Sequence, residues 1–527
     1  MTHTDYSAPF RRYPIGIQSF EKLRSEGYVY VDKTEQMYRL IRMGNPYFFS
    51  RPRRFGKSLM LSTLEAYYEG KKELFEGLFI ETVEKDWKIY PVLHLDLNAE
   101  KYETVEDLQK ILEDQLVGWE QQYDSKSPTD SYSMRFMNVI KNAYEKTGLR
   151  VVVLIDEYDK PLLRSMHNEE LQTSFRNLLT AFYTVLKSAD KWLQFVFITG
   201  VTKFAQVGIF SNLNQLMDIS FDPRFSDLCG LTLEEIENTF APELDSLAER
   251  NNIPRQEAVE RLTRMYDGYH FSYRNMIGMF NPFSVLNALS TGMYESFWFA
   301  SGTPTFLTEI LKKTDFDLRK LDGIQVPSIS LSDDRADINN PVPMIYQSGY
   351  LTIKTYDEEF RMYTLGYPNE EVEYGFLNFV TPFYTCISSK DAPFYIGQFV
   401  SELRKGDVEA FLTRLRAFFA DFPYELNDKT ERHYQVVFYL VFKLMGQFTE
   451  AEVRSIRGRA DAVVKTKDYI YVFEFKLNGT AQMALQQIEE KGYLIPYIAD
   501  GRKLIKVGVS FDQNERNLGE WEYDYPS

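Results

Sequence analysis

The sequence predicts an α/β protein: two separate α/β domains with a mostly helical stretch between them. Three observations carry this. The first 225 residues alternate short β-rich runs with helical segments. One run, Val151–Ile155, reads VVVLI without polar alternation, as a strand buried on both faces of a parallel sheet does. Residues 401–527 begin with helices, then give a hairpin pattern at 459–476, a helix at 480–491 and a strand at 503–511.

In chain order, the first β-rich runs are Tyr47–Ser50, Val92–Leu97, Val151–Ile155 and Phe195–Thr199. From about 226 to 340 the pattern turns helical. LTLEEIENTFAPELDSLAER (231–250) opens with Thr232 and Glu235 at capping-box spacing. NPFSVLNAL (281–289) starts a helix with Pro282 in its first turn. A short helix near Val342–Gln347, a strand at Tyr350–Thr355, an acidic turn and a strand near Arg361–Leu365 are compatible with a winged-helix module. The expected organisation is a parallel-sheet core at 1–225, a helical region at 226–340, a winged-helix-like module and linker at 341–400, and a second α/β domain at 401–527.

Hydrophobic residues make up 44% and charged residues 26% of the 527, which excludes a disordered tail protein, a collagen and a coiled-coil rod. No apolar run reaches the ~18 residues a membrane span needs; the nearest, Tyr434–Phe448, is interrupted by Lys443 and Gln447. The N-terminus shows no signal-peptide pattern, and the two cysteines, Cys229 and Cys386, have no ligand-like spacing. A cytoplasmic location is the expectation. The net charge of −16 excludes a uniformly basic nucleic-acid binder, although residues 1–60 hold 11 basic and 5 acidic side chains.

FFSRPRRFGKSLMLSTL (48–64) follows a strand and opens a helix. Gly56, Lys57 and Ser58 form the end of a P-loop: glycine lets backbone N–H groups reach phosphate oxygens, Lys57 reaches the β- and γ-phosphates, and the Ser58 hydroxyl ligates Mg²⁺. The first glycine of the common motif is replaced by Arg51. Arg53 and Arg54 lie in the cradle, where guanidinium groups pair with phosphate or pack on an acidic neighbour such as Asp32. Asp156 and Glu157 end an apolar strand in the layout of a Walker-B element, Asp156 to hold Mg²⁺ and Glu157 to orient the attacking water. Thr199 ends the next strand, where a hydroxyl would face the γ-phosphate or simply cap the strand.

These segments resemble the bacterial AAA-ATPase-like family. The resemblance runs over about residues 10–370 through YPIGIQSFEKLRSEGYVYVDKTE, RPRRFGKS, LIDEYDKP, ITGVTKFAQVGIFSNLNQL, YDGYHF, NPFSVLNAL and YQSGYLTIK. It implies a P-loop ATPase core that takes ATP and Mg²⁺, and RPRRFGKS in place of a glycine-started loop is the family's own form. ATPases of this type often complete a site with a neighbouring subunit's arginine, so a homo-oligomer is a further expectation, with Arg224 a candidate.

GRADAVVKTKDYIYVFEFKLNG (458–479) is the second constellation. Glu474 and Lys476, two apart on one strand, share a face. A turn centred on Lys467–Asp468 sets Asp461 opposite Glu474, with Cβ atoms about 4.5–5.5 Å apart. A turn centred on Thr466–Lys467 pairs Asp461 with Val472 instead. Two carboxylates that close repel unless a divalent cation lies between them, and Mg²⁺ or Mn²⁺ suits oxygen ligands. Lys476 would orient a metal-bound water, Glu431 on an upstream helix supplies a third ligand, and Gln487 lies on a downstream helix. GRADAVV, FEFKLNG, ALQQIEEKGYLIPY and LIKVGVSFD resemble the PD-(D/E)xK nuclease superfamily over about 415–520. That resemblance implies a restriction-endonuclease-like domain with Glu431, Asp461, Glu474, Lys476 and Gln487 as its site. The combined expectation is an ATPase fused to a metal-dependent nuclease acting on nucleic acid, DNA rather than RNA. The alternative is a nucleotide-regulated switch whose C-terminal domain binds DNA without cutting.

Overall fold

The computed structural model describes residues 11–525 except 45, 99–100, 126–129, 204–209, 211–212, 214, 301–306, 308–316, 332–339, 386, 389, 421–430, 447, 454–460, 477 and 513–516; the side chains of 300, 431–435 and 450–453 are also outside it. Two compact units result: Met1–Thr314 with Asp322–Val372, and Asp315–Leu321 with Glu373–Ser527. The division falls inside the segment 341–400.

The first unit is built on β1 (Pro46–Ser50), β2 (Val92–Asp96), β3 (Val151–Asp156), β4 (Leu193–Gly200) and β5 (Met217–Asp218). They form one parallel sheet in the order β2-β3-β4-β1-β5. Every residue of β3 is buried, as a run without polar alternation requires. The helices Val105–Gln122, Tyr132–Thr147 and Glu169–Ser188 pack their apolar stripes onto the sheet through Leu112, Phe136 and Phe182. β4 lies between β1 and β3, with Phe49 paired to Thr199 and Ile155 to Ile198. The carboxyl ends of these strands therefore open at one edge, where α/β sheets bind ligands.

The Thr232–Glu235 capping box forms as its spacing predicts, yet 231–250 is two helices, Leu233–Thr239 and Ala241–Asn251. Pro242 lies in the first turn of the second; it lacks the N–H that a continuous ladder would need. The helix Val342–Gln347 is followed by the antiparallel pair β7 (Thr352–Asp357) and β8 (Met362–Gly366). A third strand that the pattern did not reveal, β6 (Ile324–Pro327), pairs with β8.

The second unit carries β9 (Glu450–Val453), β10 (Ala462–Lys465), β11 (Tyr469–Lys476), β12 (Lys503–Asp512) and β13 (Asn517–Asp524), in the order β13-β12-β11-β10-β9. β11 and β12 are parallel, connected through the helix Ala481–Glu490, and the other pairs are antiparallel. On one face of β11, Phe473 meets Phe411 and Phe442 at centroid distances of 5.6 and 5.1 Å. On the other, Ile470 and Val472 pack with Ile488 and Tyr493.

Candidate functional site

The phosphate-loop region is assembled where β1 gives way to the helix Lys57–Tyr68. Arg51 turns inward. Its Nη1 donates to Ser50 O (2.9 Å) and Ser220 O (2.8 Å), and its Nη2 to Phe225 O (3.2 Å). The guanidinium lies 4.3 and 4.0 Å from the ring centroids of Phe49 and Phe271. Burial lowers its pKa to about 10, so it remains a cation at neutral pH. Where the common motif has a loop glycine, this chain has an internal strut.

Gly56 caps the helix with φ +96°, a conformation that costs glycine little. No side chain caps that end, which leaves its first-turn N–H groups for an anion. Lys57 is 5% exposed and its Nζ donates to Arg51 O (3.0 Å) and Pro52 O (3.2 Å). Burial lowers the pKa of Arg53, which hydrogen-bonds Tyr350, and Trp298 Nε1 donates to Arg53 O (3.2 Å). Arg54, at φ +68°, lies over the Phe283 ring at 4.9 Å. Asp32 is engaged by Thr34 and by Phe79 N. Beneath the loop, Gly349 has φ +92°, and a Cβ there would stand 2.6 Å from the Pro52 side chain.

At the end of β3, Asp156 is buried and accepts a 2.5 Å hydrogen bond from the Thr199 hydroxyl. Glu157 has φ +52° and lies 3.4 Å from Lys160 Nζ. Two carboxylates were missed in the sequence. Asp159 is buried; it accepts from Thr202 N and Oγ1, both at 2.7 Å, and burial pushes its pKa up to about 6. Asp96 stands in register beside Asp156, and burial, with Asp156 and Glu157 nearby, raises its pKa. Its signal was there: it ends a β-rich run at the same sheet edge.

A cavity of about 550 Å³ opens at this edge. Arg53, Arg54, Gly56, Lys57, Ser58, Glu157, Asp159 and Lys160 line it together with the apolar Ile17, Val29, Leu231, Phe283 and Leu286. Its size and mixed cationic and apolar lining fit a nucleoside triphosphate. Asp156 and Thr199 are not among the residues that line the cavity. Arg224 is 52% exposed and bonded to Asp222 at 2.5 Å. His270 donates its backbone N–H to Thr352 Oγ1 and its ring Nδ1 meets Ile353 O at 3.0 Å, which is packing.

In the second unit, Ala462 pairs with Phe473 and Lys465 with Ile470, the register of a turn centred on Lys467–Asp468. That register carries Asp461 to the level of Glu474, and Phe475 N donates to Asp461 Oδ2 (2.9 Å). Lys476 Nζ donates to Glu474 Oε1 (3.3 Å) and to Gln487 Oε1, while Gln487 Nε2 donates to Glu474 Oε1. Tyr493 Oη lies 3.4 Å from Gln487 Nε2. Burial, then the charge of Asp461, raises Glu474 to about 7; burial also raises Asp461. Glu474 Oε2 is buried without a hydrogen-bond partner among the described residues. An orphaned carboxylate oxygen beside a second carboxylate fits a divalent cation. Glu431 opens the helix Glu431–Met445, but its side chain lies outside the described residues, as does Cys386.

These sites define a class: a phosphate-loop domain joined to a nuclease-type fold. A family model described as "Predicted AAA-ATPase" matches residues 14–210, and one described as "PD-(D/E)XK nuclease superfamily" matches residues 429–521. A protein of Azotobacter chroococcum mcd 1, described as "Uncharacterized protein in vnfD 5'region", is similar end to end: 34% identical over 519 residues, covering 96% of this chain and 98% of its own. The chain belongs to the AAA-ATPase-like family and carries a PD-(D/E)XK-superfamily domain at its C-terminal end. No helix among the described residues is long and apolar enough to cross a membrane.

Proposed function

We propose that this protein binds and hydrolyses ATP in its first unit and cuts nucleic acid, DNA in preference to RNA, with Mg²⁺ or Mn²⁺ in its second. The observation that carries the reading is the C-terminal group: Asp461, Glu474, Lys476 and Gln487 converge, with one Glu474 oxygen buried and unbonded. Asp461 and Glu474 would hold the cation, with Glu431 as a third ligand. Bound there, a divalent cation supplies Lewis-acid polarisation of a phosphate and a more acidic water. Lys476 stands beside the carboxylates, 3.3 Å from Glu474 Oε1, where negative charge develops during phosphodiester cleavage. Gln487 orients both partners by accepting from Lys476 and donating to Glu474.

In the first unit Lys57 would exchange its two carbonyl partners for phosphate oxygens, with Arg53 and Arg54 beside it and the Gly56 turn supplying backbone donors. Ser58 and Asp156 would hold Mg²⁺, Thr199 fixes the Asp156 carboxylate, and Glu157 orients water. The protein works in the cytoplasm, as a homo-oligomer if Arg224 or another arginine completes a neighbour's site; a role in mobile elements or defence goes with this pairing of domains. The second reading, a nucleotide-driven switch that does not cut, is favoured only by the closed Glu474–Lys476–Gln487 network. Metal-dependent cutting of single- and double-stranded DNA and RNA, by wild type and Asp461→Ala, tests the two. Cutting that survives Asp461→Ala overturns the nuclease assignment, and no cutting by wild type leaves the switch.

A further inference from the structure

The geometry points to Gln18 as the residue that selects the base of the nucleotide, by pairing its side-chain amide with the donor–acceptor edge of adenine. The inference rests on the reading of the cavity as a nucleotide site. Gln18 lines the cavity and is exposed to it. Its neighbours are pinned on both sides. Tyr13 donates to the buried Glu243 (3.1 Å), Ile17 N donates to Pro14 O (3.3 Å), and Phe20 N donates to Ser62 Oγ (2.9 Å). Ser62 lies five residues beyond Lys57 on the same helix, about 7–8 Å along its axis. Through Phe20 the Gln18 segment is tied to the helix that the phosphate loop opens.

Several other polar groups of the cavity are already engaged. Lys33 Nζ is held by Glu235 at 2.6 and 2.7 Å. The Thr63 hydroxyl donates to Leu59 O (2.8 Å), and the half-buried Tyr30 hydroxyl lies near Thr63 and the backbone of Lys33. The Cys229 thiol is pushed up to about 11 by burial. Asn98 belongs to the phosphate end, its carbonyl accepting from Lys160 Nζ at 3.3 Å. Gln18 offers both a donor and an acceptor, and its side chain makes no hydrogen bond to a described residue. A carboxamide complements the adenine amino group and the adjacent ring nitrogen, the pairing by which Gln reads adenine elsewhere. In the same cavity Ile17, Val29, Leu231 and Phe283 supply apolar surface for a planar ring.

Calorimetric titration of the full chain with Mg²⁺-ATP and with Mg²⁺-purine riboside triphosphate, which lacks the 6-amino group, tests this on wild type and Gln18→Leu. Wild type should bind ATP about tenfold more tightly, because the analogue forfeits the amino-group half of the contact. Gln18→Leu should abolish that difference, weakening ATP about tenfold more than it weakens the analogue, which loses only the ring-nitrogen contact. No preference in wild type, a preference that survives in the variant, or an equal loss for both ligands overturns the assignment of Gln18. A wild type that binds neither ligand overturns the nucleotide reading of the cavity itself.

Discussion

Replacing Arg51 with glycine would restore the common phosphate-loop spelling, and the expected result is a collapse of stability, not better nucleotide binding. Arg51 serves three backbone carbonyls, those of Ser50, Ser220 and Phe225, and lies between two aromatic rings. Each carbonyl left without its donor costs about 1 kcal/mol, the low end for a buried acceptor with a second lone pair. Loss of the side chain between Phe49 and Phe271 adds about 3 kcal/mol, as for other large-to-small core changes. Arg51→Gly should therefore cost about 6 kcal/mol, comparable with the whole stability of an ordinary domain. Arg51→Met keeps packing and sheds the desolvation of a buried cation, so it should cost only about 2–3 kcal/mol. Urea unfolding followed by tryptophan fluorescence is the assay: of the five tryptophans, Trp87, Trp119, Trp192 and Trp298 lie in the first unit. The Met variant should move the first transition by about 1–2 M. A glycine variant that unfolds like wild type and binds ATP more tightly would refute the strut.

Lys57→Ala should lower ATP turnover about 100-fold or more while leaving metal-dependent cutting without ATP intact, read by phosphate release and by gel. Gly349→Ala places a Cβ 2.6 Å from Pro52 at φ +92°, so it should cost about 2–4 kcal/mol and weaken ATP binding by displacing the loop, seen in unfolding and calorimetry. Burial pushes Glu371 up to about 7, against about 4.3 in an unfolded chain. Between those values the folded protein keeps a proton that the unfolded chain releases, so stability falls as pH rises through the window, by up to about 1.4 kcal/mol per pH unit. Glu371→Gln should flatten that part of the urea-midpoint profile; a profile parallel to wild type counts against it.

Local signals were legible wherever one stretch of chain decides the outcome. The VVVLI run became a fully buried strand because no polar residue could have faced water. The hairpin sequence allows two turns, and the fold takes the one centred on Lys467–Asp468, which brings Asp461 and Glu474 to one level. The Thr232 cap is a local signal for where the first helix of 231–250 starts, and Pro242 marks the first turn of the second. Arg51 could not be placed: Phe271, Ser220 and Phe225 meet it only in the folded chain. Asp159 and Glu371 were missed for the same reason, since their partners, Thr202 and Trp298, are 43 and 73 residues away. Strands β6, β9 and β13 are short or polar edge strands, whose identity comes from the neighbour they pair with.

Binding of Mn²⁺, counted by the paramagnetic resonance of the free ion with and without ATP, puts the two-site claim to the most direct test. Wild type should hold one class of ion without nucleotide and gain a second when ATP is added. Lys57→Ala should lose only the ATP-dependent class, and Asp461→Ala only the other. A single class under both conditions, or one variant that removes both, would contradict two independent phosphate-handling sites in one chain.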